Sequence, residues 1–298
     1  MLSTFFKAKP IIDESSKEWI FDTFSWCMQQ LDGEFFQKNS ELILPNNSFY
    51  PGNSSSVDEM ANTIFSNTLK YTGMTSWPLN LVSSDHFVQK PIPQLFFQSR
   101  LRGENAKIST KVNTQGNGQA TSNLSYKVEG EAVMPSLDLE LKLDTNIDIA
   151  FHSSQLNQPQ DMIAYFVQIQ AGILVNQYDA LAASVSAPSG KEALPQTIDL
   201  VACFMGFGVI FANTAYQFKG GCGSCNNRNL NRQAALPELE TVYALALFCV
   251  IKGIEVKQVK KELKSHLYKP YRQAFKEITL YLAQTTNPAH ALLSESIS

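Results

Sequence analysis

Short alternating runs set between two groups of helical segments predict an α+β fold: N-terminal helices, a small antiparallel sheet and a C-terminal helical block. Apolar residues recur at helical spacing in 15–31 and 56–72, each behind a capping residue. Residues 79–150 instead carry brief runs of period two. Long apolar stretches return from about residue 160.

The first helix is predicted from Ser15 to Leu31. Ser15 or Ser16 supplies the cap and Glu18 a first-turn acid. Trp19, Phe21, Phe24, Trp26 and Cys27 form a wide apolar face. Asp32-Gly33 ends it. Glu41 to Leu44 reads as a short strand stopped by Pro45, and Asn46 to Ser56 as a turn-rich loop. Ser56 then caps a second helix to about Thr72, with Glu59 three residues on completing a capping box. Strands are expected at Leu79–Val82, Leu95–Gln98, Lys107–Val112, Asn123–Glu129 and Leu137–Leu143, with a hairpin turn at Thr114–Gln119. In the last of these Leu137, Leu139, Leu141 and Leu143 alternate with charged residues, which gives one buried and one wet face.

Helices are expected at about 160–183, 196–217, 237–252, 256–265 and 268–284. Pro237, Glu238 and Glu240 make a favourable first turn. Lys257, Lys260, Lys261 and Lys264 read as a solvated face of the fourth. The first two are expected to pack together at the centre of the molecule, with Ala171, Gly206 and Gly208 permitting close approach. No repeat or long linker divides the chain. A single domain over 1–298 follows, its α/β part at about 1–155 and its helical part at about 156–298.

With 44% hydrophobic and 17% charged residues the chain is globular, and a net charge of −3 gives no electrostatic footprint for nucleic acid. Cys27, Cys203 and Cys249 lie in apolar runs and read as small hydrophobes. That usage fits a reducing, cytoplasmic setting, and the N-terminus lacks a signal-peptide pattern. The longest apolar run, Leu200 to Ala212, is thirteen residues, too short for a membrane span.

Chemistry-bearing patterns are few. Cys222 and Cys225 form a CxxC within a Gly-rich segment. Such a pair can ligate zinc or cycle as a dithiol, but no second ligand pair accompanies it. The plainer reading is an interhelical loop with two incidental thiols. His86, His152, His266 and His290 are the four histidines, and no two are spaced for one helical face. There is no GxSxG, and Gly206-x-Gly208 lacks the residues of a phosphate loop.

The fullest pattern runs from Ile147 to Asn213: IDIAFHSSQLNQPQDMIAYFVQIQAGILVNQY, then PQTIDLVACFMGFGVIFAN. With the LxLPxxxFYPG of Leu42–Gly52 and the GMxxW of Gly73–Trp77, it resembles a bacterial family of zincin-like, HExxH metallopeptidase-like proteins. The resemblance covers about residues 15–80 and 145–285. In an HExxH helix two histidines at i and i+4 share one Zn²⁺, and the adjacent Glu takes a proton from the metal-bound water. Alignment through Pro159 and Ala164 puts the two His positions at Gln168 and Gly172 and the Glu position at Ile169. A third ligand would fall at Gln196, or at Pro195 before it, and Asp199 matches the Asp of the family pattern. Asp199 also reads simply as a cap or a counter-charge to the helix dipole. Glycine cannot ligate, isoleucine cannot accept a proton, and a carboxamide is a poor zinc ligand. The resemblance therefore implies an inactive zincin-like protein with no catalytic residue, metal or other cofactor, serving a binding or scaffold role toward a protein or peptide partner. The alternatives are an enzyme of other chemistry reusing the cleft, or a thiol or metal function at Cys222 and Cys225.

Overall fold

The computed structural model describes residues 10–52, 55–97, 100–104, 106, 108–111, 146–181, 193–215, 234–284, 287, 290–291 and 293. The expected strands at 123–129 and 137–143, the hairpin turn at 114–119, and Cys222 and Cys225 lie outside them.

Helix α1, Glu14–Gln30, is capped by Asp13 rather than by a serine. A carboxylate reaches more donors than a hydroxyl. It accepts from the Ser15 hydroxyl at 2.6 Å, the Ser16 N–H at 2.8 Å and the Ser16 hydroxyl at 3.0 Å. Asp32 follows in a left-handed conformation and turns the chain into a short helix the sequence did not announce, α2, Gly33–Asn39. The Lys252 ammonium donates to the Phe36 and Gln37 carbonyls at its C-terminal end. Glu41–Leu44, expected as a strand, joins no sheet. The Ile43 N–H donates instead to the Gly206 carbonyl, 3.0 Å away.

Helix α3, Val57–Thr72, begins at Ser56 as expected and stops at Gly73, whose φ of 73° closes the helix. Ser56 accepts the Glu59 N–H, but the Glu59 carboxylate accepts from the Ser55 N–H and hydroxyl, one residue earlier than in a capping box.

The fold is α+β, yet the expected sheet is not a single antiparallel one. Among the described residues there are two two-stranded sheets. Strand β1, Leu79–Ser83, runs parallel to β4, Ile147–Phe151, in the register Leu79 to Ile147 through Ser83 to Phe151. Strand β2, Gln94–Phe97, is antiparallel to β3, Ile108–Lys111. Period-two alternation says which residues face inward and nothing about strand direction, so a parallel partner some seventy residues on was not legible.

From β4 a 3₁₀ turn, Ser153–Asn157, leads to α4, Pro159–Leu181. The expected helix at 196–217 is broken into α5, Leu194–Ala202, a π-helical turn at Cys203–Phe207, and α6, Gly208–Thr214. Gly206 in the turn has φ 99°, a conformation that favours glycine. Helix α7, Glu238–Ile251, is buried at every residue from Thr241 onward and packs on α6, α8 and the π turn. The expected helix at 256–265 is only a 3₁₀ turn, Val256–Val259, before α8, Ser265–Gln284. The Asn213 amide captures the Glu262 carbonyl at 2.7 Å and the Lys264 N–H at 2.9 Å and holds that segment as turns.

Helix α4 does pack directly on α5 and α6, as expected. The glycines expected to permit this act elsewhere. A Cβ on Gly206 would stand 2.1 Å from the Glu41 carbonyl oxygen, and one on Gly208 would crowd Leu245 of α7 at 3.0 Å. The α4–α5 approach falls at Gly172, which faces Ile198. Buried apolar side chains from Ile12 to Leu293 join in one cluster. The Leu194–Thr214 run is long and apolar enough to cross a bilayer, but 78% of its most apolar stretch is buried inside the fold.

Candidate functional site

Helix α4 is apolar around most of its surface, and its amide side chains form its cross-links. Gln168 Nε2 donates to Asp199 Oδ1 of α5 at 2.7 Å. Asp199 is fully buried. Its other oxygen accepts the backbone N–H groups of Ala235 at 2.8 Å and Leu236 at 3.0 Å, in the segment leading to α7. One carboxylate thus ties α4, α5 and the approach to α7 together. It neither caps α5, which begins at Leu194 behind Ala193, nor stands free to bind a ligand.

The other expected positions surround this lock. Ile169 is half-buried against the core. At Gly172 an added Cβ would lie 3.4 Å from Ile198 Cδ1, an ordinary contact. Gln196, one turn before Asp199, has its Oε1 buried without a hydrogen-bond partner. The fold therefore brings together Gln168, Gly172 and Asp199 at one helix–helix seam, and it uses them for packing. Gln170, two residues on, points to a different helix. It accepts from the Thr72 hydroxyl at 3.0 Å and donates to the Thr68 hydroxyl at 2.9 Å, both on α3.

Among the described residues no group of three or more His, Cys, Asp or Glu is placed to hold a metal ion. His152 caps the 3₁₀ turn, accepting the Ser154 N–H at Nδ1. His266 meets Glu238 at 3.1 Å, His290 lies between Asp22 and Tyr281, and His86 is exposed. Cys27, Cys203 and Cys249 are buried, as read from the sequence. Burial pushes the Cys249 thiol up to about 12 and Cys27 higher still, so neither is a thiolate near neutrality.

Two pockets lie away from this seam. A pocket of about 330 Å³ sits at the N-terminal end of α4, between the 45–52 loop and α3. Tyr50, Asn67, Met60, Pro159, Gln160 and Ile163 are among its walls. It joins the LxLPxxxFYPG segment to the lead-in of α4. Among the described residues no charged side chain lines it. The Tyr50 hydroxyl is buried and unpartnered, and burial raises its pKa. The second pocket, about 370 Å³, surrounds Arg102. Sequence reasoning missed Arg102 altogether. An Arg in a polar stretch looks like surface, and its burial depends on a helix end seventy-one residues away.

The chain matches no known family model, no curated protein and no solved structure.

Proposed function

We propose that the protein is a catalytically inactive, zincin-like binding protein whose pocket at the start of α4 takes a segment of a protein or peptide partner. The observation that carries this reading is the Gln168–Asp199 hydrogen bond. Where an active zincin would place imidazole, carboxylate and metal, this chain has a carboxamide donating to a carboxylate already engaged by two N–H groups. That arrangement satisfies the carboxylate with hydrogen bonds inside the seam, leaving no free general base beside a metal-bound water. The neighbouring pocket supports a binding role. Its mostly apolar wall and few convergent polar groups are the chemistry that holds an uncharged stretch of chain.

Two measurements on one preparation test this. Metal analysis after dialysis against zinc should find no stoichiometric metal. Selection from a random peptide library should yield ligands that lose at least about tenfold in affinity on Met60→Asp, which places a charge at a partly exposed position of the wall. Stoichiometric zinc displaced by Gln168→Leu, or selected peptides indifferent to Met60→Asp, would overturn the proposal.

A further inference from the structure

Arg102 is 1% exposed, one of the largest fully buried side chains in the molecule. Its Nε and Nη2 donate to the Leu31 carbonyl at 3.2 and 2.8 Å, at the end of α1. Its guanidinium carbon lies 4.8 Å from the centre of the Phe35 ring and 5.5 Å from that of Phe204. The carboxylate closest in effect, Asp32, has one oxygen occupied by the Leu101 and Arg102 backbone N–H groups, both at 2.6 Å. Nη1 is buried with no acceptor. A buried cation normally carries a paired anion or a full set of acceptors. Here one edge of the guanidinium has neither.

The pocket that Arg102 helps to wall contains charges of both signs. Lys70 and Arg100 line it, and so do Glu41 and Glu104. Arg100 is committed to Glu34 at 2.6 Å. Lys70, Glu41 and Glu104 make no ion pair among the described residues; the Lys70 ammonium lies 6.0 Å from the centre of the Tyr71 ring. A plain anion entering here would meet two carboxylates, and a plain cation would meet Lys70 and Arg102. Only a ligand carrying both charges complements the walls. About 370 Å³ is the size of a small-molecule site, and the Phe35 ring adds an apolar surface for a side chain.

We infer that this pocket binds a small zwitterion of the α-amino-acid type, its ammonium directed to Glu41 and Glu104 and its carboxylate to Lys70, with the buried Arg102 guanidinium adding positive charge behind the wall. Burial lowers the Arg102 pKa only to about 10, so the guanidinium remains charged at neutral pH. The inference stands apart from the reading of the α4 seam, since the two sites share no residue.

The test is calorimetric titration of the full chain with the common L-amino acids, singly. Each ligand found is repeated as its α-amide, which lacks the carboxylate, and its N-acetyl derivative, which lacks the ammonium. Inorganic phosphate forms a further arm. At least one amino acid is expected to bind saturably, and both derivatives should bind about tenfold more weakly or worse, the loss expected for one charged hydrogen bond. Lys70→Gln and Glu104→Gln, both at exposed positions, should weaken binding similarly without moving the melting midpoint of the free protein. These surface variants keep the test decisive even if Arg102→Met does not fold. Binding of no amino acid overturns the inference. So does binding of phosphate alone, which marks a simple anion site, or affinity unchanged in both Gln variants.

Discussion

Gly206 and Asp199 show how much of this structure hangs on single side chains, or on the lack of one. A Cβ at Gly206 would combine a φ of 99° with a 2.1 Å approach to the Glu41 oxygen, which is backbone and cannot swing away. Gly206→Ala is therefore expected to destabilise by about 1–3 kcal/mol, read as a lowered denaturation midpoint with unchanged slope. Asp199→Ala strands two backbone N–H groups and the Gln168 amide, and a loss of roughly 3 kcal/mol is expected. Gln168→Leu should cost less, and the double variant should be less damaging than the sum, because the two side chains share a hydrogen bond. Additive losses would mean that the pair is not coupled. Asp13 offers a pH test. Chiefly through the Ser15 hydroxyl, then the Ser16 N–H, its carboxyl is held at about 2 against an ordinary 3.8. A depressed carboxyl contributes stability that is present above the ordinary value and lost as pH falls through the folded one, so its share vanishes between about pH 4 and 2. In an NMR titration Ser15→Ala should move the Asp13 midpoint up toward its ordinary value; an unmoved midpoint would remove the serine from the explanation.

Helices were the legible part of the sequence because their signals are local. The Ser56 cap and the apolar spacing behind it lie within a few residues of each other, and α3 begins where they say. Ser56→Ala should cost about 1 kcal/mol of stability. Strand pairing and helix interruption were not legible, because each depends on a distant group. The break between α5 and α6 packs against the Glu41 backbone and accepts the Ile43 N–H at Gly206, and the turns at 256–264 are held by Asn213. Asn213→Ala removes the acceptor for the Lys264 N–H and the donor to the Glu262 carbonyl. Hydrogen exchange across 259–264 should then accelerate while α7 stays protected. An unchanged pattern would show that the apolar anchors Val259 and Leu263 alone hold the segment.

The division of labour along the chain follows the same logic. Of the positions singled out on α4 and α5, Gln168, Gly172 and Asp199 lie at the seam between the two helices. What the seam would be made of was open until Gln168 and Asp199 were seen hydrogen-bonded. Restoring chemistry tests the whole reading. Gln168→His, Ile169→Glu and Gly172→His, with Gln196→Glu, put two imidazoles on one face of α4. Gly172 has room for at least a Cβ against Ile198. The combined variant should be less stable than the parent without metal and should regain stability in zinc. A folded variant with no zinc-dependent rise in melting midpoint would separate the seam from the zincin frame.

The Ile43 N–H, bonded to the Gly206 carbonyl, gives the molecule a reporter where none would be sought. That proton belongs to neither helix nor strand, in a segment that a protection map would ordinarily dismiss as loop. Yet Ile43 is fully buried and its acceptor lies in a buried helical run, so the proton exchanges with solvent only when the contact between this segment and that run opens. Its exchange rate in heavy water should match those of the α7 amides and lag far behind its chain neighbours, a slow clock for global unfolding set in an apparently plain stretch of chain.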